Sequence, residues 1–215
     1  MSKSASERKN RSESILKEQA VPFISHLPTV EDENSVRMRS LEEIAWRAMA
    51  LNIVAVKGEG LDHKRALELS ERYALEQAFT PKERDFVFNS EPSENDRVQF
   101  SWKYECYWVL LWALNYVDEL GAPDHVCDVE TAVQILVDRS AEEFIRDAKL
   151  RNTDAILDAT DITYRYDWAC VDSRLNGTVI PKWLNCSVVM EQHRALNWLV
   201  GYGDSADWDD VTMDT

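Results

Sequence analysis

The sequence predicts an all-α protein, a single-domain helical bundle of about eight or nine helices around a central tryptophan-rich helix. Three observations support this fold class. Glycine and proline are scarce, at six each in 215 residues, and runs that alternate apolar and polar residues are almost absent. Apolar residues instead recur every three or four positions, which is the spacing of one helical face. Serine, threonine and aspartate stand where helix N-caps are needed.

The N-terminal residues differ from the rest of the chain. Residues 1–11 consist largely of Ser, Lys, Arg and Glu and lack an apolar stripe, which predicts a disordered charged arm. Residues 12–215 contain neither a repeat nor a linker, so we expect a single α-helical domain that includes an ordered acidic C-terminal tail. The first helix of this domain covers Ser12–Ala20 and ends before Pro22.

Helix starts are predicted by caps that precede an apolar periodic run. Ser40 to Glu43, Thr80 to Glu83 and Ser140 to Glu143 are capping boxes, and Asp62 and Asp128 are single N-caps. Glycines and prolines mark the helix ends. The predicted helices, in order, cover residues 12–20, 40–57, 62–74, 80–88, 99–120, 128–139, 140–150, 153–175 and 183–200.

The stretch from Gln99 to Leu120, QFSWKYECYWVLLWALNYVDEL, is the predicted central helix. Its main stripe contains Trp102, Glu105 and Trp112, and a second apolar row lies beside it. A helix this apolar is expected to be enclosed by neighbours on more than one side. Glu105 is the exception, because it puts a carboxylate in the middle of the most apolar face.

Acidic residues occupy apolar stripes in two further helices. Glu191 lies between Val188 and Ala195 with the same spacing as Glu105, and Asp161 lies between Leu157 and Tyr164. An unpaired buried carboxylate is costly, so each acid should be paired or protonated. The sequence therefore predicts a structural ion-pair network formed by Arg47, Glu105, Asp161, Arg165, Glu191 and Arg194.

Two other interpretations of these acids stay open. Glu105, Asp161 and Glu191 are the candidate catalytic residues if a pocket holds at least two of them as an acid/base pair. A metal site is the weaker alternative, since a di-metal bundle needs Glu-x-x-His elements and His193 stands two residues after Glu191. No metal and no other cofactor is predicted, and motifs for nucleophilic or nucleotide chemistry are absent.

The composition of the chain restricts which partners and which cellular location can be expected. The net charge of −15, from 39 acidic and 24 basic residues, argues against nucleic acid and against an anionic membrane as partners. It is compatible with a basic protein partner or with solubility alone. The four cysteines are far apart and lack a CxxC pair, which predicts free thiols and, with no signal peptide or membrane span, a cytoplasmic protein. The oligomeric state is not predictable.

Five segments of the chain resemble a known family: LEEIAWRA (41–48), WKYECYWVLLWAL (102–114), ATDITYRYDWA (159–169), EQHRALNWL (191–199) and DWDDVTMDT (207–215). The chain is similar along nearly its whole length to the mostly bacterial family four-two-seven-two of the domains of unknown function. Where that family often has Glu-Arg, this chain has Glu191-Gln192, and Arg194 is the possible substitute. The resemblance implies a cytosolic, single-domain α-helical protein and no assigned activity.

The resemblance also makes the C-terminal tail part of the fold. It implies that Trp208 docks on the bundle, with Asp207, Asp209 or Asp210 near helix N-termini or arginines. Two functions follow from the sequence as hypotheses. The first is a protein-interaction module of the inhibitor or immunity type with an acidic surface. The alternative is a hydrolase that uses the buried carboxylates as acid and base.

Overall fold

The structure is a computed structural model that describes residues 3–204 and 207–215. Within these ranges the chain is helical and contains no strand, so the all-α fold is confirmed. Short 3₁₀ turns cover Leu75–Gln77, Tyr202–Asp204 and Trp208–Asp210. The α-helices are α1 (Ala5–Glu18), α2 (Leu41–Gly58), α3 (His63–Arg72), α4 (Pro81–Phe88), α5 (Glu94–Ser101), α6 (Lys103–Ala113), α7 (Val129–Val137), α8 (Ala141–Asp147), α9 (Thr153–Asn176) and α10 (Cys186–Leu199).

Capping residues fix the helix starts as their chemistry requires. The hydroxyl groups of Ser40, Thr80 and Ser140 each accept a hydrogen bond from the backbone N–H three residues later, and the glutamate there closes the capping box. Asp62 and Asp128 cap α3 and α7 in the same way. These helices therefore begin where the sequence predicted.

The predicted central helix is divided into two. A capping box of Ser93 and Asp96 starts α5 between the helices predicted at 80–88 and 99–120, and the chain bends at Trp102 before α6. The α6 helix ends at Ala113 because Asn115 adopts a left-handed backbone conformation with φ 56°. The tryptophan-rich segment is thus an 11-residue helix rather than one of five turns.

Among the described helices, α2 packs against the largest number of neighbours. It packs against α3, α4, α5, α6, α7 and α8, whereas α6 packs mainly against α2 and α10. Gly58, the last residue of α2, allows the close crossing of α5, since a Cβ there would lie 2.5 Å from the backbone nitrogen of Ser101. A second, smaller hydrophobic cluster joins α1, α9 and α10 and includes Leu16, Tyr166 and Val189.

The predicted disordered arm is wrong for residues 5–11, because α1 begins at Ala5 with Ser4 as its N-cap. Arg8 explains the difference. Its guanidinium is fully buried and binds Asp154 at 2.8 Å and Asp158 at 3.1 Å, both on α9. A charged sequence without an apolar stripe is therefore ordered by ion pairs, which apolar periodicity does not detect.

The prediction that all four cysteines are free thiols is also wrong. Cys170 near the end of α9 and Cys186 at the start of α10 form a disulfide, with their Cα atoms 5.5 Å apart. Cys106 and Cys127 remain free. The free thiols had supported the predicted cytoplasmic location, and the disulfide removes that support. Separately, none of the described helices combines the length and the apolarity needed to cross a membrane.

Candidate functional site

Glu105 lies in the first turn of α6 and is 2% exposed. Its Oε1 atom accepts a hydrogen bond of 2.7 Å from the backbone N–H of Cys127. Burial raises the pKa of the Glu105 carboxyl, the Cys127 hydrogen bond opposes that shift, and the negative charge of Glu191 adds to it. Contrary to the prediction, no arginine binds Glu105 within the described residues.

Glu191 on α10 has a lysine as its partner. Lys103 Nζ lies 2.9 Å and 2.6 Å from its two carboxylate oxygens, and the thiol of Cys106 donates to its Oε2 at 3.0 Å. The predicted partner, Arg194, does not bind it, and the buried Nε of Arg194 has no hydrogen-bond partner in the described chain. Burial and the nearby Glu191 carboxylate raise the pKa of Cys106 well above its ordinary value, so this thiol is not an activated nucleophile.

Asp161 and Arg165 form a bidentate pair on consecutive turns of α9. The two hydrogen bonds measure 2.9 Å and 2.7 Å, and both side chains are fully buried. Arg165 also donates to the carbonyl oxygen of Pro28 at 3.3 Å, which ties the loop before α2 to α9. Asp161 is therefore held in a closed ion pair and is not available as a proton donor or acceptor.

Arg47 lies apart from the three predicted acids. Its Nη2 atom binds Glu83 Oε2 at 2.5 Å, and both residues are buried. Glu83 in turn closes the capping box of α4 through the backbone N–H of Thr80. The six residues predicted to form one network are thus divided among separate contacts on different helices.

One buried polar pair was missed in the sequence. His193 on α10 and Asp167 on α9 are 1% and 5% exposed, and His193 Nδ1 lies 2.8 Å from Asp167 Oδ2. The sequence contains a pattern that indicates a buried His193. Val189, His193, Leu196 and the C-cap residue Val200 follow one another at helical spacing and form a second stripe along α10. The predicted stripe of this helix runs through Glu191, and His193 does not lie on it.

A cleft lies where the C-terminal tail meets α2 and α10. Its volume is about 540 Å³, and we call it the tryptophan cleft. Trp208 is 4% exposed and packs edge-on against Trp198, with ring centroids 5.5 Å apart. The guanidinium of Arg47 stands 5.2 Å from the centre of the Trp208 ring. The residues that line the cleft are Glu43, Trp46, Arg47, Ala74, Gln77, Ala78, Phe79, Thr80, Pro81, Trp198, Asp207 and Trp208.

The tail acids differ in their surroundings. Asp207 lines the tryptophan cleft and caps the last 3₁₀ turn, because its Oδ1 accepts the backbone N–H of Asp209. Asp210 is exposed. In the structure Trp208 is the residue that anchors the tail, and Asp207 supplies a carboxylate at the edge of the cleft.

Comparison with known proteins places the chain in a family. The model described as "Domain of unknown function (DUF4272)" matches residues 8–211. The chain belongs to this family. The DUF4272 description names no reaction, ligand or partner, and no curated protein and no solved structure matches the chain.

The geometry of this DUF4272 protein bears on two functions, namely catalysis by a metal or by acid and base groups, and the binding of a partner. Among residues 3–204 and 207–215, no three His, Cys, Asp or Glu side chains group so that they could hold a metal ion. The three candidate acids have separate partners, and Asp161 is closed off by Arg165. The tryptophan cleft, by contrast, combines aromatic faces with the carboxylates of Glu43 and Asp207, which is a lining suited to binding.

Proposed function

We propose that this DUF4272 protein is a protein-interaction module whose tryptophan cleft accepts a lysine or arginine side chain of a basic partner protein. The observation that supports the proposal is the lining of the cleft, in which aromatic rings lie beside exposed carboxylates. A cation gains from both, through the quadrupole of the ring and through the negative charge.

The aromatic rings of the cleft already bind cations of this chain. Arg39 stands 5.0 Å from the centre of the Trp198 ring, and Arg47 stands 5.2 Å from that of Trp208. Trp46 is half-buried at the cleft, and none of the described cations lies over its ring. Trp46 is therefore the aromatic face that an incoming basic side chain would use.

The charge of the whole chain favours the same class of partner. A net charge of −15 attracts basic proteins from a distance and speeds their association at low ionic strength. Tight binding of a basic partner by a compact acidic protein is how an inhibitor or immunity-type module would work. The charge of the chain and the chemistry of the cleft together are our reasons for proposing an inhibitor or immunity-type module.

The hydrolase alternative has less support. Acid/base hydrolysis at Glu105, Asp161 and Glu191 would need two of these carboxylates to share one accessible pocket. Asp161 and Arg165 are fully buried together, and both oxygens of Glu191 are bound by Lys103.

A matched pair of glutamates on α2 tests the proposal. Glu43 and Glu42 are neighbouring exposed residues, but only Glu43 lines the cleft. Glu43→Gln removes the charge while keeping a side chain that can close the capping box with Ser40. Binding of a fluorescent hexa-arginine peptide should weaken by roughly three- to tenfold in Glu43→Gln and by less than about twofold in Glu42→Gln.

Trp46→Ala should weaken binding of the same peptide by a similar factor without unfolding the protein, because Trp46 is only partly buried. Circular dichroism of each variant checks the fold. Equal losses in Glu43→Gln and Glu42→Gln would mean that the peptide binds by net charge alone, and the cleft would have no role.

A further inference from the structure

A cavity of about 110 Å³, partly open to solvent, lies between α9 and α10, apart from the tryptophan cleft. Its cover comes from the loop before α2 and from the C-terminal tail, at Tyr202 and Asp214. The volume is several times the roughly 10–15 Å³ that one buried water needs, so a small organic molecule can be accommodated. Its walls are formed by Pro28, Thr29, Val30, Glu31, Val36, Leu157, Thr160, Tyr164, His193, Asn197, Val200, Tyr202 and Asp214.

His193 presents one nitrogen that has no partner. Asp167 is a carboxylate and can only accept, so the hydrogen bond of 2.8 Å places a proton on Nδ1. Nε2 makes no hydrogen bond within the described part of the chain. A side chain 1% exposed that borders the cavity thus keeps one ring nitrogen for a guest.

Two other polar residues in the wall offer oxygen acceptors. Thr160 donates its hydroxyl to the carbonyl oxygen of Ile156 at 2.8 Å, which leaves lone pairs on Oγ1. Asn197 donates one N–H of its amide to the carbonyl oxygen of Thr212 at 3.0 Å, which leaves Oδ1 as an acceptor and one N–H as a donor. Each of the two residues can therefore accept a hydrogen bond from a guest.

The charges around the cavity are negative. Glu31 and Asp214 contribute carboxylates to the wall, and none of the described lysines or arginines lines it. Arg165 lies behind the wall and is neutralised by Asp161. Burial raises the pKa of the Tyr164 hydroxyl, Tyr202 and the carboxylates of Asp161 and Asp214 raise it further, and Arg165 lowers it. An anionic guest is therefore disfavoured.

We propose that this cavity binds a small primary ammonium compound, with N–H groups donated to the unprotonated Nε2 of His193 and to the oxygens of Thr160 and Asn197. An ammonium group has three donors, and these three atoms supply one acceptor for each of them. The carboxylate of Asp214 balances its charge, the Tyr164 ring offers an aromatic face, and the apolar side chains contact the alkyl part. This site is independent of the tryptophan cleft.

The test uses the full-length protein and ethylammonium chloride as the probe. Isothermal titration calorimetry should give a dissociation constant on the order of 1 mM, near the ceiling for three non-hydrogen atoms. Ethanol and tetramethylammonium are the matched controls, since the first lacks the charge and the second lacks N–H donors. Both should bind at least roughly tenfold more weakly.

The ring nitrogens of ¹⁵N-labelled His193 provide a second measurement. Ethylammonium should shift the Nε2 resonance and leave Nδ1 nearly unchanged, because Nδ1 stays bonded to Asp167. Absence of both heat and shift across the millimolar range overturns the proposal, as does equally tight binding of tetramethylammonium.

Variants separate the site from general attraction to an acidic protein. Asp214→Asn removes a charge from the wall and should weaken ethylammonium binding by roughly tenfold. Asp210→Asn removes a charge from the same exposed tail outside the wall and should leave binding unchanged. His193→Asn keeps an amide N–H for Asp167 but removes the Nε2 acceptor. This variant should also bind ethylammonium roughly tenfold more weakly. Equal effects of the two aspartate variants would overturn the proposal.

Discussion

The buried polar pairs of this protein differ in how far apart their two members lie along the chain. Asp161 and Arg165 are four residues apart on one helix, where the two side chains must be neighbours. Glu191 and Lys103 are 88 residues apart, and His193 and Asp167 are 26 apart. Each of the latter contacts exists only because α10 packs between α6 and α9.

Glu105 gives the prediction at this scale. Glu105→Gln keeps an oxygen for the backbone N–H of Cys127 and removes a buried charge near Glu191, so stability at pH 7 should be unchanged or slightly higher. Glu105→Leu leaves that N–H without its acceptor and should cost about 1–3 kcal/mol. Urea unfolding measures both variants, and equal losses would contradict the assignment.

The same residue carries a pH dependence with a definite sign. The folded-state pKa of Glu105 is raised above 4.5, so the folded protein holds this proton more tightly than the unfolded chain does. Its contribution to stability is complete below pH 4.5 and is lost as the pH rises through the folded-state pKa. Between pH 4.5 and the folded-state pKa of Glu105, the wild type should therefore lose stability relative to Glu105→Gln. Urea unfolding at several pH values measures the difference.

At the scale of the helices, the sequence identified those whose ends carry caps. Ser40, Thr80 and Ser140 could be recognised because a capping box uses residues three apart, and local spacing is preserved in the fold. The division at Trp102 differs from the prediction because the capping box of Ser93 and Asp96 starts a helix before residue 99, where the predicted helix begins. Apolar periodicity continued across the bend, so the stripe alone did not show two helices.

The N-terminal helix α1 provides the prediction at this scale. Arg8 is fully buried between Asp154 and Asp158, so Arg8→Met leaves two partly buried carboxylates with fewer cations and should cost on the order of 3 kcal/mol. Arg11→Met is the matched control. Arg11 binds Asp158 at 2.7 Å but is 58% exposed, so its loss should cost less than about 1 kcal/mol.

Urea unfolding and limited proteolysis within residues 5–18 measure the two arginine variants. Arg8→Met should make this segment cleavable while Arg11→Met remains resistant, since local opening follows the loss of the docking contact. Similar behaviour of both variants would mean that apolar packing of Leu16, rather than the Arg8 ion pairs, holds α1 in place.

The hydrophobic core of the whole molecule is divided into two clusters and is not organised around one central helix. The larger cluster is built around α2 and α6, and the smaller one around α1, α9 and α10. The disulfide between Cys170 and Cys186 lies in the smaller cluster, where it joins the end of α9 to the start of α10. The cavity and the tryptophan cleft both border α10, the helix that links the two clusters.

The net charge of −15 gives the last prediction. Charges of one sign repel one another in the folded chain, and this repulsion is screened by salt. Raising sodium chloride from about 0.01 M to about 0.15 M shortens the screening length from about 30 Å to about 8 Å, so the melting temperature should rise. Each 1 kcal/mol gained corresponds to roughly 2–4 °C in a chain of this size. The pair of Arg165 and Asp161 is fully buried and little screened, so it should not offset the gain.

Differential scanning calorimetry measures the melting temperature, with sorbitol at equal osmolality as the control. A melting temperature that falls with salt would mean that exposed ion pairs, rather than the surplus of acids, dominate the electrostatic free energy of the fold.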